Sequence, residues 1–316
     1  MSDRSQEIIF HQYDISPFSE KVRVIFGIKG LAWNSVIQPV IMPKPELIAL
    51  TGGYRKIPVM QIGADIYCDT QIIISELERR YPSPSMHVGG DAGLSNALAF
   101  WTDRPLFTLA CDVIFAGAST MPREDPFTKD REALFERTFD MEARAAAVPN
   151  ALDQLRAHLG WIDEQLADGR RFLLGDKPGH ADACAYYNIL FIRWVNAPVM
   201  EKMGALKHLR AWEQRVKAIG HGTRKEMSRE DALDIARYST PIEKPRADPE
   251  EPNGFKPGDA VTVGADDYGK NRMAGELVSS SSQHIAIRRH DPRVGDVVLH
   301  FPRAGFIVEG ALSAFR

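Results

Sequence analysis

One proline constrains the fold of this chain more than any other residue. Pro58 lies inside the apolar run Ile57–Ile62, and proline interrupts a strand unless it stands at a strand start or on an edge. A cis Ile57–Pro58 bond would turn the N–H and C=O groups of Ile57 outward, where they can pair with another peptide. The segment therefore predicts a short strand that begins beside a peptide-binding edge.

A strand, a tight turn and a helix are predicted upstream. The apolar run Ile8–Gln12 precedes Ser16 and Pro17, and apolar residues then recur at helical spacing. The first turn of a helix offers unpaired N–H groups and the positive end of the helix dipole, which favour an anion. Ser16 is therefore a candidate partner for a thiolate, and it suits a plain N-cap equally well.

A second polar pair opens another predicted helix. Asp69 and Thr70 follow the strand-like Tyr67 and Cys68 and precede apolar residues that are four apart. Their carboxylate and hydroxyl suit an ammonium and a carboxylate group, and the alternative is again an N-cap. Cys68 is predicted to be a buried, inert thiol rather than a redox group.

In this order and spacing the three segments resemble the glutathione transferase family, whose first domain has the thioredoxin fold. The resemblance covers residues 8 to about 238, and Ser16-Pro17-Phe18 is most similar to the Cys/Ser-Pro-Phe/Tyr turn of the omega-type and bacterial members. It implies glutathione as a co-substrate, with Ser16 activating its thiol and Ile57-Pro58 in the place of a cis Val-Pro pair. Asp69-Thr70 stands in the place of the Glu-Ser pair that holds the γ-glutamyl end.

The same resemblance implies further glutathione contacts at Phe18, Ile57 and Lys44. Lys44 aligns without a gap with a lysine that contacts glutathione in the omega type, and an ordinary surface lysine is the alternative. Tyr13 is the alternative thiol donor, because other classes use a tyrosine near the end of the first strand. An alignment anchored on Arg23, however, places that tyrosine at Gln12.

The pocket for the electrophile and the subunit contact are also expectations. Phe107, Cys111 and Phe115 are four apart on one predicted helix and are candidates for the wall of an electrophile pocket, although core packing explains them equally well. The family pairs two subunits across a two-fold axis. The resemblance therefore implies a symmetric homodimer, with contacts from the helices Thr70 to Tyr81 and Leu94 to Gly117.

Periodicity and punctuation predict three domains: a thioredoxin-like α/β domain over residues 1–84, an all-helical domain over 92–238, and a small SH3-like β-barrel over 258–316 after a proline-rich linker at 239–257. The predicted helices of the second domain are Leu94 to Gly117, Asp130 to Met141, Val148 to Leu166, Ala181 to Val195, Leu206 to Ile219 and Arg229 to Tyr238. The predicted strands of the barrel are Ala260 to Val263, Ala274 to Val278, His284 to Arg288, Val297 to Phe301 and Phe306 to Val308. Asp182 is predicted to cap the central helix, where Gly179 replaces the family's Ser or Thr.

The linker and the barrel invite two expectations. Five prolines within seventeen residues predict a stiff connector that few packing contacts cross, so that residues 1 to 248 fold and bind glutathione alone. Residues 254–316 hold eight Lys or Arg against seven Asp or Glu, and this net charge of +1 does not favour nucleic acid. The alternative is a barrel that walls the site, with Arg288, Arg289 or Phe306 at the interface.

Composition is typical of a cytoplasmic enzyme. The 316 residues are 44% hydrophobic with a formal charge of −3, and no apolar stretch approaches the ~20 residues of a membrane span. The three cysteines and nine histidines show no metal-ligand spacing, so no metal is expected.

The sequence thus favours a glutathione S-transferase that directs the glutathione thiolate at a hydrophobic electrophile. A non-catalytic glutathione-binding or protein-interaction module on the same fold remains the alternative. A glutathione-dependent thiol reductase is less favoured, because that chemistry needs a sulfur nucleophile where this chain has Ser16.

Overall fold

The first third of the chain alternates strands and helices. The structure is a computed structural model and describes residues 4–115, 124–138 and 140–310. The elements of the first part are β1 (Ile9–Gln12), α1 (Pro17–Lys29), β2 (Ala32–Ile37), α2 (Pro45–Thr51), β3 (Val59–Ile62), β4 (Asp65–Cys68) and α3 (Thr70–Arg80). Strand β1 pairs parallel with β2 and antiparallel with β3, which pairs antiparallel with β4. This is the predicted thioredoxin-like domain.

The predicted turn between β1 and α1 is confirmed. Ser16 is the N-cap of α1, and its Oγ accepts a hydrogen bond from the backbone N–H of Ser19 at 3.2 Å. Pro17 occupies the first helical position, where a missing N–H costs nothing. Gly30 ends the helix at φ 63°, a conformation that glycine adopts without strain.

The next part is helical. It consists of α4 (Ala92–Trp101), α5 (Phe107–Phe115), α6 (Pro126–Phe135), α7 (Met141–Gln165), α8 (His180–Lys202) and α9 (Lys207–Lys217). Among the described residues, no helix is long and apolar enough to cross a membrane.

Three helix predictions were wrong in detail. The helix predicted over Val148 to Leu166 begins earlier, at Met141. The helix predicted from Leu94 to Gly117 is divided by a π-helical turn at Thr102–Leu106, where Pro105 lacks the N–H group of a regular turn, and Gly117 lies outside the described residues. The helix predicted over Asp130–Met141 instead begins at Pro126. Its cap is Asp125, which accepts a hydrogen bond from the Phe127 N–H at 2.9 Å.

The predicted cap of the central helix α8 is confirmed. The Asp182 carboxylate accepts hydrogen bonds from the backbone N–H groups of Leu173 and Gly179, each at 2.9 Å, and from the Trp212 indole N–H at 2.7 Å. A Cβ atom at position 179 would lie 2.7 Å from the Met86 carbonyl oxygen. Glycine therefore replaces the family's hydroxyl residue because the two backbones approach closely.

The segment after α9 returns to the sheet, although the sequence predicts only helix there. Strand β5 (Thr223–Glu226) pairs parallel with β2. Helix α10 (Arg229–Arg237) matches a predicted helix and packs on the same sheet, where the Gln61 side-chain amide donates to the Ala232 carbonyl at 2.8 Å. The short exposed strand β5 escaped prediction because Thr-Arg-Lys-Glu has no apolar face.

The C-terminal part, hereafter the β domain (residues 260–310), confirms the five predicted strands. They are β6 (Ala260–Ala265), β7 (Met273–Ser280), β8 (His284–Asp291), β9 (Gly295–Pro302) and β10 (Phe306–Gly310). Strand β9 pairs parallel with β4, with Asp65 opposite Val298 and Tyr67 opposite His300. One ten-stranded sheet results, in the order β10-β6-β7-β8-β9-β4-β3-β1-β2-β5.

The β domain also shares a hydrophobic core with the thioredoxin-like domain. Buried members from the first domain are Leu47, Leu50, Tyr54, Ile57, Val59, Ile66 and Cys68, and those from the β domain include Val261, Leu277, Ile285, Val297, Leu299, Phe301 and Phe306. The linker contacts both of these domains. The Ile242 N–H donates to Asp65 of the thioredoxin-like domain at 2.7 Å, and the Arg246 N–H donates to the Val278 carbonyl of the β domain at 3.0 Å. The expectation that few packing contacts cross this boundary was wrong.

We expect this shared core to make unfolding cooperative across the boundary. All five tryptophans lie before residue 213, so tryptophan fluorescence reports only on the thioredoxin-like and helical domains. Phe301→Ala in β9 removes a fully buried ring and should lower the unfolding free energy measured by that fluorescence by about 3–5 kcal/mol. Ile307→Ala, at a 40% exposed position in β10, is the control. An unchanged fluorescence midpoint in Phe301→Ala would mean that the β domain unfolds independently.

Candidate functional site

Two adjoining cavities lie between the thioredoxin-like, helical and β domains. The smaller, hereafter the polar cavity, has a volume of ≈ 40 Å³ and is lined by residues of the cis-proline segment and the start of α3. The larger, hereafter the apolar cavity, has a volume of ≈ 670 Å³ and opens beside the start of α1. Phe18, Lys56, Ile57 and Tyr268 line both cavities. A single extended molecule can therefore occupy both.

The floor of the polar cavity carries the polar pair that opens α3. The predicted cis bond is present between Ile57 and Pro58. Asp69 caps α3 by accepting a hydrogen bond from the Gln71 N–H at 2.9 Å, and it holds φ at 100°, where a residue with a side chain is strained. Burial raises the pKa of Asp69 to about 6, and the nearby Asp103 carboxylate adds to the effect. Asp69 is thus an anion that is poorly compensated by the protein alone.

A buried lysine is hydrogen-bonded to the polar pair that opens α3. The Lys21 ammonium, fully buried in α1, donates to the Thr70 hydroxyl at 2.9 Å and to the Asp103 carboxylate at 2.7 Å. The Tyr187 hydroxyl donates to the other Asp103 oxygen at 3.0 Å. These bonds tie α1, α3, the π-helical turn and α8 together at the site. Both oxygens of Asp103 are consequently occupied by hydrogen bonds within the protein.

The β domain supplies the outer wall of the polar cavity. Its contribution comes from the loop between β6 and β7, with Asp267 and Tyr268, and from Gly305 and Phe306 at the start of β10. The Asp267 carboxylate accepts a hydrogen bond from the Lys56 ammonium at 2.7 Å, and that ammonium lies 4.0 Å from the centre of the Tyr268 ring. Phe306 therefore agrees with the predicted alternative, in which the β domain forms a wall of the site.

The other two residues of that alternative differ. Arg289 contacts the thioredoxin-like domain by donating to the Ala49 carbonyl, away from the cavities. Arg288 pairs with Glu276 and Val298 within the sheet of the β domain.

Ser16 and Tyr13 both line the apolar cavity. Ser16 is buried, and its Oγ accepts the N-cap hydrogen bond. The Ser16 N–H donates to the Tyr13 carbonyl at 3.0 Å, and burial raises the pKa of the Tyr13 hydroxyl despite the nearby Arg131 charge. The two candidate donors are thus neighbours on the wall of the apolar cavity.

Cations surround these two residues. Arg55 and Arg131 both pair with the buried Asp130 carboxylate, and Lys44 donates to the Arg55 carbonyl at 3.3 Å. Burial lowers the pKa of Lys44 to about 8, and the Arg131 charge acts in the same direction. Three cations against one carboxylate make this end of the apolar cavity a suitable place for an anion.

The apolar cavity is walled mainly by helices. Phe107, Cys111 and Phe115 of α5 line it together with Phe127, Leu134 and Phe135 of α6 and Phe191 and Trp194 of α8. The Phe18 ring lies 4.7 Å from the Phe107 ring, so the turn after Ser16 and helix α5 meet directly. The three residues chosen from their spacing do face a cavity, which core packing alone would not require.

Every residue predicted to activate the thiol, to bind glutathione or to wall the electrophile pocket lines one of the two cavities. Other lining residues escaped sequence analysis. Arg55 and Lys56 directly precede the Ile57-Pro58 pair, and this basic step could have identified them. Arg131, Asp267 and Tyr268 offered no signal, because only the tertiary structure brings them to the site.

The remaining chemistry is limited. Cys68 faces the shared core, and burial raises its pKa well above the ordinary value, so its thiol is inert there. Within the part of the chain that the structure describes, no group of three or more His, Cys, Asp or Glu side chains is arranged to hold a metal ion.

Comparison with known proteins agrees with this geometry. Residues 10–85 match the family model described as glutathione S-transferase, N-terminal domain, and residues 145–215 match that of the C-terminal domain. A crystal structure of a GST-like protein from Pseudomonas syringae is 36% identical, covers 96% of this chain and 99% of its own, and superposes with a TM-score of 0.79. The chain belongs to the glutathione S-transferase family.

Two further relatives are more distant. A glutathione S-transferase structure from Rhodospirillum rubrum is 23% identical, covers 67% of this chain and 88% of its own, and has a TM-score of 0.51, which shows a common fold. Glutathione S-transferase U4 of Arabidopsis thaliana is 22% identical over 79 residues, which is 25% of this chain and about a third (35%) of that protein. The Pseudomonas syringae structure covers 96% of this family member, so the matched region includes the β domain.

The strained anion at the floor of the polar cavity should lower stability at neutral pH. Its folded pKa of about 6 exceeds the ordinary 3.8, so folding favours the protonated acid. The favourable contribution is complete below about pH 4 and is lost as the pH rises to about 6. Asp69→Asn should therefore raise the unfolding free energy at pH 8 by up to about 3 kcal/mol, and by little at pH 4. Urea unfolding at both pH values measures this, and an equal effect at both would contradict it.

Proposed function

We propose that this family member is a glutathione S-transferase that activates the glutathione thiol for attack on a hydrophobic electrophile. The observation that carries the proposal is that a charged cavity adjoins a large apolar one at Phe18, two residues after Ser16. Glutathione has a zwitterionic end, a thiol and a terminal carboxylate, in that order. The site offers partners in the same order.

In the proposed complex the γ-glutamyl end lies in the polar cavity. Its ammonium group pairs with Asp69, and its carboxylate meets the Thr70 hydroxyl and the start of α3. The cysteine backbone pairs with the peptide of Ile57 beside Pro58. The glycine carboxylate lies toward Lys44, which carries its charge at neutral pH because its pKa is about 8.

The thiol then reaches the Ser16 hydroxyl. Ser16 Oγ accepts from the Ser19 N–H, so its own proton is available to a thiolate. A charge-assisted hydrogen bond is worth roughly 1.5–3 kcal/mol, and one pKa unit is ~1.36 kcal/mol, so this bond lowers the thiol pKa from ~8.5 by about one to two units. The Arg131 and Lys44 charges act in the same direction, and thiolate is then abundant at neutral pH.

The electrophile occupies the apolar cavity against Phe107, Cys111 and Phe115. Its volume of ≈ 670 Å³ suits a molecule of drug size. The residues of α5, α6 and α8 form this wall, and they impose shape more than chemical identity. A broad range of apolar electrophiles is therefore expected.

The main alternative is a glutathione-binding module without catalysis. Asp69 in place of the family's glutamate favours it, because the shorter side chain reaches less far into the cavity. Tight glutathione binding with no turnover over a panel of aryl halides, epoxides and unsaturated carbonyls would support the module. Measurable conjugation supports the enzyme.

The role of Ser16 can be separated from that of Tyr13 by two conservative variants. Ser16→Ala should raise the pKa of the bound thiol by about one to two units and slow conjugation at pH 7 about tenfold or more, with glutathione affinity changed only a few-fold. Tyr13→Phe should act less, since in the proposed complex the Ser16 hydroxyl donates to the thiolate. Thiolate absorbance against pH measures both. A large shift in Tyr13→Phe and none in Ser16→Ala would make Tyr13 the donor.

We also propose a symmetric homodimer, formed through α3 and α4 as in the family. Light scattering should give a mass near twice the chain's 35.3 kDa. Leu94 in α4 is 54% exposed in the single chain, so Leu94→Glu should weaken the dimer. Ile242→Glu, at a 49% exposed position in the linker, is the control. A monomer mass for the wild-type protein at micromolar concentration would refute the dimer.

A further inference from the structure

The loop between β6 and β7 extends from the β domain and contacts the thioredoxin-like and helical domains. The Asp266 carboxylate pairs with Arg104 of the π-helical turn, and Asp267 pairs with Lys56. The Gly269 N–H donates to the Leu134 carbonyl of α6 at 2.8 Å. Three separate elements therefore hold this loop over the polar cavity.

The fit of the loop is close. Gly269 has φ 58°, and a Cβ atom there would lie 3.0 Å from both Leu134 Cδ1 and Lys56 Cε. The Tyr268 ring packs on Phe135 at 4.8 Å and under the Lys56 ammonium. Such packing places the Asp267 side chain at the rim of the cavity with 30% of it exposed.

Asp267 differs from the other acids of the cavity in having acceptor capacity left. Both Asp103 oxygens are occupied, by Lys21 and by Tyr187. Asp267 uses one oxygen, Oδ1, for the Lys56 ammonium and for the Tyr268 N–H. Its Oδ2 accepts no hydrogen bond from the residues that the structure describes, and an ionised carboxylate can accept about four.

We propose that Asp267 is a specificity-determining residue, which binds the ammonium group of the γ-glutamyl end from the side opposite Asp69. The inference rests on the proposed function. Both carboxylates line the same cavity, and the charges of both act on the buried hydroxyls of Tyr54 and Tyr268. Asp69 is one methylene shorter than glutamate, and a second acid that the β domain adds to the same cavity compensates for this shorter reach. The β domain is thereby part of the co-substrate site.

The test compares glutathione with glutaryl-cysteinylglycine, which is glutathione without its amino group. Calorimetry should show that Asp267→Asn weakens glutathione binding about tenfold and leaves the analogue within about twofold. Asp267→Glu should stay within about threefold for both ligands, because it keeps the charge. Asp296→Asn, an exposed acid of β9 that pairs with His290, should change neither.

The outcomes separate the two proposals. If Asp267→Asn weakens both ligands equally, the loop is only a wall and the inference is overturned. If Asp267→Asn leaves glutathione binding unchanged while Asp69→Asn abolishes it, Asp69 alone binds the ammonium and the inference is again overturned. If the wild-type protein binds neither ligand, the proposed function fails first. Should Asp267→Asn unfold, Asp267→Ala is measured in its place, with the same expected result and the same contradicting results.

Discussion

The parallel pairing of β9 with β4 is the interaction on which the rest of this molecule depends. Without it, β4 would be an edge strand with unpaired backbone groups, and such edges require cover. Strand β9 provides that cover, with Asp65 opposite Val298 and Ile66 opposite Leu299. The pairing brings the apolar faces of two domains into one core and directs the β6–β7 loop toward the polar cavity.

The site itself combines strain with support. Asp69 is held in an unfavourable backbone conformation as a poorly compensated anion, while Lys21 beneath it is fully neutralised by Asp103 and bound to Thr70. Asp69, which we propose as the residue that meets the ligand, thus lowers stability as an anion, while the bonds of Lys21 hold the start of α3. This arrangement is expected of a binding site that must present charge to a zwitterion.

The apolar cavity obeys a different constraint. Its walls come from α5, α6, α8 and the turn after Ser16, and the cations that line it are Lys44, Arg55 and Lys56 of the thioredoxin-like domain and Arg131 of α6. An anionic sulfur and an apolar electrophile can thus be adjacent in one space. Arg131 of α6 is central to this arrangement, because it pairs with Asp130 of the same helix, donates to the Val40 carbonyl and places its charge near Tyr13.

Local signals in the sequence determined much of the protein. Proline after Ser16, proline after Ile57, the Asp69 cap and the Asp182 cap each act over a few residues, and each predicted element formed as its own chemistry requires. Alternating apolar residues likewise identified all five strands of the β domain. The resemblance to the family pointed to Lys44, and four-residue spacing on one predicted helix pointed to the cavity-lining residues of α5.

Only the tertiary structure decided how these pieces meet. Periodicity tells which face of a strand is buried, but the choice of β4 as the partner of β9 depends on shape complementarity between segments more than two hundred residues apart. For the same reason the proline-rich linker, which by composition should separate two domains, lies along a shared core. Asp267 and Arg131 became site residues through long-range packing, and a pattern read along the chain carries no information about which distant surface will face them.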